Sequence, residues 1–246
     1  MNQCTQPRKG RRSAGVGANT AKLKEQAARR AVEFVQSGMI VGLGHGSTAL
    51  FAVKRIAELI RSGALQNIRG VPCSRKVFED ARKLGIPITT LNRNSVIDLT
   101  IDGADEVDDH LNLIKGGGGA LLREKIVAQA SLCEIIIVDE SKMSSVLGTK
   151  CAVPIEVAPF GWKAHIFPLE KLGAEVKPRR NSDGKLFKTD QGNIILDANF
   201  GPISDPAKLA ADLKARAGVV EHGLFIGIAT DVIVAGRGGL RHLERD

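Results

Sequence analysis

Met39-Ile40-Val41-Gly42-Leu43-Gly44-His45-Gly46-Ser47-Thr48-Ala49 begins as a short apolar run, breaks at a glycine-rich turn and passes into a helical apolar period that continues to Arg61. Strand, tight turn and helix in that order begin a βαβ unit, and the same alternation recurs downstream. Ile68–Pro72 reads as a second short strand, Lys76–Leu84 as a helix ended by Gly85, and Ile86–Leu91 as a bounded apolar run. Val96–Ile101 reads as a strand ending at Asp102, Ala120–Gln129 as a helix, and Glu134–Val138 as a nearly all-apolar strand ending at Asp139. Upstream, Leu23, Ala27, Ala28, Ala31, Val32 and Val35 give Thr20–Ser37 a helical face, stopped by Ser37-Gly38. Short strands alternating with helices predict a parallel sheet covered on both faces, a Rossmann-like α/β arrangement.

After Cys151 the order changes. Ala152–Val157, Ala174–Pro178, Asn193–Asp197 and Val219–Phe225 are strand-like, and Lys163–Leu172 and Asp205–Ala217 are helix-like. That order is βαββαβ, the split ferredoxin-like unit. Asn181-Ser182-Asp183-Gly184 supplies turn chemistry between its central strands. A last strand, Asp231–Ala235, returns to the main sheet. The expected organisation is a flexible basic tail over residues 1–19, an α/β domain over 20–151 and 226–246, and a small α+β domain inserted at 152–225.

The net charge of +8 invites a nucleic-acid reading, but its distribution argues otherwise. Residues 1–30 hold eight Lys/Arg against one acid, Glu25, so the body of the chain is nearly neutral. The run Arg8-Lys9-Gly10-Arg11-Arg12 reads as a solvated tail, and 4% aromatics give little material for base stacking. The sequence has no apolar run of about 18 residues to span a membrane, and no hydrophobic stretch near its start to act as a secretory signal. Cys4, Cys73, Cys133 and Cys151 are scattered, with no CxxC pair and no histidine cluster, which suits a reduced cytoplasmic protein without structural zinc. The five histidines are dispersed, and Trp162 reads as a packing residue.

Three loops carry the chemistry. In the first, Gly44 and Gly46 let an anion approach the backbone, the helix start offers free N–H groups, and Ser47 and Thr48 add hydroxyls. A plain turn with an N-cap hydroxyl is the ordinary alternative. A dinucleotide fingerprint would need an acid after the next strand, where Pro72-Cys73-Ser74 stands instead. In the second loop, Asp102 and Asp105 flank Gly103-Ala104, with Glu106 and Asp108 close behind. A tight turn there could aim both aspartates into one cleft and separate their pKa values; a solvated acidic turn or a metal site is the alternative.

The third loop, Lys115-Gly116-Gly117-Gly118-Gly119, costs backbone entropy that a simple surface loop would not need. Its N–H groups can form an anion-binding concavity beside a fixed positive charge. Glu124 follows one turn into the next helix as a candidate base, with Arg123 and Lys125 placed to keep it ionised. Lys142, in Asp139-Glu140-Ser141-Lys142, could reach a phosphate, with Asp139 orienting it.

Together these motifs resemble the type A ribose-5-phosphate isomerase family from about Leu23 to Gly236. The resemblance rests on Gly44-x-Gly46-Ser47-Thr48, Asp102-Gly103-Ala104-Asp105-Glu106, Lys115 with four glycines and Ala120, Arg123-Glu124-Lys125, Asp139-x-Ser141-Lys142 and Pro154-x-Glu156-Val157. It implies a reversible, metal- and cofactor-independent interconversion of D-ribose 5-phosphate and D-ribulose 5-phosphate through an enediolate. It further implies that Glu124 moves a proton between C1 and C2. Lys115 and the amides of Gly116, Gly117 and Gly118 stabilise the oxyanion, and Asp102 and Asp105 handle hydroxyl protons and ring opening. Lys24, Ser47, Thr48 and Lys142 hold the substrate, mainly its phosphate. The family usually has Thr where this chain has His45. Members are commonly homodimers or homotetramers. A non-catalytic sugar-phosphate sensor and a CoA-transferase-like protein on a similar scaffold are the competing readings.

Overall fold

The structure, a computed structural model, describes residues 14–245, with side chains from Thr20 onward. In chain order its elements are α1 (Ala14–Val32), β1 (Ile40–Leu43), α2 (Ala49–Arg61), β2 (Arg69–Pro72), α3 (Arg75–Lys83), β3 (Leu99–Asp102), β4 (Glu106–Val107), β5 (Leu113–Ile114), α4 (Leu121–Gln129) and β6 (Glu134–Asp139). There follow β7 (Val153–Val157), α5 (Ile166–Lys171), β8 (Glu175–Pro178), β9 (Ile194–Asn199), α6 (Pro206–Lys214), β10 (Val219–His222), β11 (Leu224–Phe225), β12 (Asp231–Gly236) and β13 (Gly239–Glu244).

The main sheet has the strand order β13-β12-β6-β3-β1-β2. Every pairing in it is parallel except that of the edge hairpin β12–β13. The chain runs outward from β1 to β2, then crosses back to β3 on the other side of β1. The strand order therefore reverses between β1 and β3, and ligands of such sheets bind in the crevice at the carboxyl ends of the strands on either side of that point. β1 ends at Leu43 and β3 at Asp102, so the first two chemical loops face each other across this crevice.

Strand alternation splits the core in two. Ile135 and Ile137 of β6, with Ile233 and Ala235 of β12, face a cluster containing Ala27, Ala28 and Ala31 of α1 and Ala52, Val53 and Ile56 of α2. Ile136 and Val138, with Val232 and Val234, face the opposite way, onto Ala128 of α4 and Val107, Leu113 and Phe225. Those last three residues belong to a small sheet, β11-β5-β4, that lies under the third loop. These eight residues of β6 and β12 are all at most 1% exposed, so neither face of the two strands at this level is open to solvent.

The order β7-α5-β8-β9-α6-β10 forms a separate antiparallel sheet, β10-β7-β9-β8, around its own core of Ile155, Leu169, Leu196 and Leu213. This is the inserted ferredoxin-like unit. The molecule is thus an α/β protein with a parallel sheet and a small α+β insertion. The turn at Asn181–Gly184 closes with Gly184 donating to the Asn181 carbonyl at 2.9 Å, Gly184 having φ +80°.

Several elements differ from their sequence expectation. α1 begins at Ala14, so residues 14–19 are helical rather than tail, and residues 1–13 lie outside the described residues. The run Ile86–Leu91 makes only one bridge, Ile88 to Gly70. The expected strand Val219–Phe225 is two strands in two sheets, broken at Gly223. A Cβ at Gly223 would collide with the Lys115 carbonyl and Pro154. The close approach lets Gly223 donate to the Pro154 carbonyl at 2.7 Å and accept from Lys115 N–H at 2.9 Å. One glycine thereby fixes the backbone of Lys115 to the small sheet. Among the described residues no helix is long and apolar enough to cross a membrane.

Candidate active site

A pocket of about 480 Å³, open to solvent, lies at the strand-order reversal. It is lined by residues from all three loops, together with Lys24 of α1, Glu124 of α4 and Lys142.

The first wall is the turn after β1. Gly44 itself does not line the pocket. It packs against Asp102, where any Cβ would collide, and donates to the Ile101 carbonyl at 3.0 Å. Gly44 therefore belongs to the site's framework, whereas Gly46, Ser47 and Thr48 face the space. Thr48 stands at the N-cap of α2 without a side-chain cap bond, so the plain N-cap reading of this hydroxyl does not hold. Lys24 donates to Ser47 Oγ at 2.9 Å, which brings an α1 cation to the start of α2. His45 also lines the pocket, with its Nδ1 2.9 Å from Ser74 Oγ and its ring against Gly118. Burial pushes its pKa down, so the ring is uncharged at neutral pH.

The centre is a buried charge cluster. Lys115 is 1% exposed. Its Nζ lies 3.0 Å from Asp102 Oδ2 and 2.9 Å from Glu124 Oε1, and it also donates to the Gly103 carbonyl. The Phe225 ring lies beneath it, 5.5 Å from the ammonium. Burial alone would lower its pKa, but Asp102 and Glu124 more than reverse this and hold the ammonium above its ordinary value. Lys115 is a permanent cation.

Asp102 stands behind Lys115 rather than on the pocket surface, with Oδ1 accepting from the His45 and Gly103 amides at 2.9 and 2.7 Å. Asp105 does face the pocket and accepts from Gly117 N–H at 2.7 Å. The two aspartates thus occupy different layers instead of forming one surface pair.

Glu124 is 4% exposed and presents two unlike oxygens. Oε1 is held by Lys115, and Oε2 has no hydrogen-bond partner among the described residues. Burial raises its pKa to about 7 against the opposing pull of Lys115, with Asp102 adding to the rise. Its sequence neighbours do not keep it ionised, contrary to expectation. Arg123 pairs with Asp190 at 3.3 Å, and Lys125 with Glu221 at 2.7 Å, because successive helix positions point about 100° apart.

Lys142 reaches the pocket from a single 3-10 turn, Glu140–Lys142, after β6. Asp139 does not line the pocket. Its Oδ1 accepts from Ser141 N–H at 3.0 Å and from the Ser141 hydroxyl, which caps the turn that presents Lys142. Two further acids of the second loop are structural. Glu106 accepts from the amides of Gly148, Thr149, Lys150 and Cys151 at 3.0–3.3 Å. Asp108 closes the β4–β5 turn by accepting from Asn112 N–H at 2.7 Å. The carbonyl of Gly103, which sequence reading treated only as spacing between the aspartates, is itself a Lys115 ligand.

The dispersed histidines include one, His242, that lies between Asp231 and Glu244, with Nε2 2.7 Å from Asp231 Oδ1. None of the three lines the pocket.

The chain is similar to known proteins over most of its length. The family model for ribose 5-phosphate isomerase A (phosphoriboisomerase A) matches residues 69–239. The ribose-5-phosphate isomerase A of Chloroflexus aurantiacus is 57% identical over 225 residues, covering 92% of this chain and 94% of the relative. That of Desulfatibacillum aliphaticivorans is 58% identical over 222 residues, covering 90% and 96%. A solved structure of a D-ribose-5-phosphate isomerase in complex with phospho-erythronic acid superposes with a TM-score of 0.90 at 41% identity, covering 92% of this chain and all of the other. The ribose 5-phosphate isomerase from Plasmodium falciparum gives 0.88 at 43% identity, covering 92% and 99%. By sequence, fold and the extent of the match, the chain belongs to the ribose 5-phosphate isomerase A family.

Proposed function

We propose that the pocket interconverts D-ribose 5-phosphate and D-ribulose 5-phosphate by proton transfer through an enediolate, with Glu124 as the base. The unpartnered, buried Oε2 of Glu124 carries this reading. A carboxylate oxygen left without a donor inside a pocket is poised to accept a proton, and a pKa near 7 lets it return that proton.

Starting from the aldose, Oε2 takes the proton from C2 of the open-chain sugar. The electron pair moves into the C1–C2 bond and charge develops on the carbonyl oxygen. Lys115, its N–H groups held by Asp102, Glu124 and the Gly103 carbonyl, opposes that charge as a buried cation. The Gly118 amide is a free donor of the loop among the described residues, and a preorganised donor of this kind contributes about 3 kcal/mol. The same carboxyl then protonates C1. Asp105, on the pocket surface, moves the hydroxyl proton and assists ring opening. Asp102 acts one layer back, by holding Lys115 charged and in place. Lys24, Ser47, Thr48 and Lys142 anchor the phosphate, which sets C1 and C2 beside Glu124. Asp139 serves by capping the Lys142 turn.

We also propose domain limits of 20–151 with 226–246 and of 152–225, supported by the insertion's own antiparallel sheet and by a core drawn mostly from residues 153–219, which Ile114, Leu147 and Leu224 complete. A homodimer or homotetramer is supported by exposed Phe160 and Phe167 on the insertion, apolar surface that association would cover. A reducing cytoplasm is supported by Cys73, Cys133 and Cys151, all free thiols.

The test is to incubate the protein with ribose 5-phosphate and EDTA and follow ketopentose formation. Turnover in the chelator supports the reading. Binding of the sugar phosphate without turnover would replace it with a sensor, and acyl-CoA exchange with a transferase.

A further inference from the structure

The glycine loop is gripped from outside by the insertion. After β8 the chain forms a hairpin that leans over the loop. The Phe187 ring packs where a Gly119 side chain would stand, and Asp190 accepts from Arg75 N–H at 2.7 Å. At the hairpin's base, Arg179 uses both edges of its guanidinium. Nε donates to Asp197 Oδ2 at 2.9 Å and Nη2 to Asp197 Oδ1, a two-pronged pair with Arg179 15% exposed. Nη1 donates to the carbonyls of Gly116 at 2.8 Å and Gly117 at 3.0 Å.

Those two carbonyls decide where the loop's amides point. A trans peptide is planar, so its C=O and the next N–H are directed oppositely. With the Gly116 carbonyl turned to Arg179, the Gly117 N–H faces the other way, and it meets Asp105 Oδ2 at 2.7 Å on the pocket side. With the Gly117 carbonyl turned to the same guanidinium, the Gly118 N–H is likewise directed away from Arg179. Gly118 lines the pocket, and its N–H has no partner among the described residues. The Gly116 carbonyl also accepts from Gly119 N–H at 2.9 Å, whereas the Gly117 carbonyl has only Arg179 among the described residues, and a glycine has no side chain to set that plane.

We infer that Arg179, fixed by Asp197, is a positioning residue that aims the Gly118 amide at the oxyanion formed during isomerisation. Arg179 touches no reacting atom. It lets the inserted unit set the geometry of the catalytic loop, and lysine cannot replace it because one ammonium cannot serve a carboxylate edge and two carbonyls at once. The inference rests on the isomerase reading above.

The experiment measures kcat and KM of wild type, Arg179→Met, Arg179→Lys and Asp197→Asn on ribose 5-phosphate, with and without low guanidinium chloride. A misaimed group costs up to about 10²-fold in rate. Arg179→Met and Arg179→Lys are expected to lose about 10- to 10²-fold in kcat with KM within about twofold, since the phosphate anchors are untouched. Free guanidinium should restore part of the kcat of Arg179→Met, and Asp197→Asn should show a smaller loss of the same kind. If the Arg179 variants fail to fold, Asp197→Asn decides alone by its kcat-against-KM split. Unchanged kcat, a parallel rise in KM, or a kcat loss that guanidinium leaves unrelieved would overturn the inference. An inactive wild type would instead overturn the isomerase reading, so the two failures are distinguishable.

Discussion

Lys115 Nζ lies 2.9 Å from Glu124 Oε1, with the two side chains 1% and 5% exposed. The cation meets only one oxygen of the carboxylate. Asp102, 3.0 Å from the same nitrogen, neutralises part of its charge. Glu124 therefore keeps an oxygen free among the described residues, and burial, opposed by Lys115 and aided by Asp102, pushes its pKa up to about 7, the value that suits a group which must both take and give a proton.

The pH dependence follows from that value. Burial raises the Glu124 pKa, so the basic form fills as pH rises through about 7. The acid limb of kcat/KM should bend there and fall tenfold per pH unit below it. A bend near the ordinary carboxylate range would mean that Glu124 is not the titrating base.

Lys115→Met should damage both rate and fold. It removes the buried cation that opposes the oxyanion, worth about 10²–10³-fold in kcat. It also leaves Asp102 and Glu124 as buried carboxylates without their cation, and breaking a buried pair costs about 3–5 kcal/mol. Thermal unfolding beside steady-state kinetics reads both effects. Wild-type stability in the variant would show that the cluster is not held together as described.

Lys142→Ala should raise KM for ribose 5-phosphate by about 10-fold or more, the worth of one charged hydrogen bond, with a smaller change in kcat. The variant should fold normally, because the turn is capped by Asp139 rather than by Lys142. An unmoved KM would place the phosphate elsewhere.

Glu134 gives a prediction about stability alone. It is 1% exposed, both carboxyl oxygens have no hydrogen-bond partner among the described residues, and burial pushes its pKa well above the ordinary value. A raised folded-state pKa gives a stabilising contribution that is complete below the ordinary carboxylate pKa and is lost as pH rises through the raised value. Glu134→Gln cannot ionise. Whatever its absolute Tm, it should decline less than wild type as pH rises from the ordinary carboxylate range. Parallel Tm curves would contradict the buried, unpaired state of Glu134.

The alternation of strand and helix was legible because parallel strands buried on both faces, such as Glu134–Asp139, read as apolar runs between helical periods. The three loops were legible because glycines, acids and a lysine gathered at strand ends. Three features needed the fold. The two-residue strands β4 and β5 are too short to leave a period. Gly223 splits a continuous apolar run for reasons that lie in Lys115 and Pro154, about 108 and 69 positions away in sequence. The ranking of Asp102 behind Asp105, and of Gly44 and Asp139 as supports, depends on depth from the surface, which spacing along a chain does not encode.

The most direct measurement is the turnover of Glu124→Gln on ribose 5-phosphate, beside its thermal unfolding. The amide keeps the shape and a contact to Lys115 but cannot accept a proton. The expected result is a folded protein whose kcat is lower by about 10²–10⁴-fold or more, with KM little changed. A folded variant isomerising at near wild-type rate would contradict the assignment of Glu124 as the proton carrier.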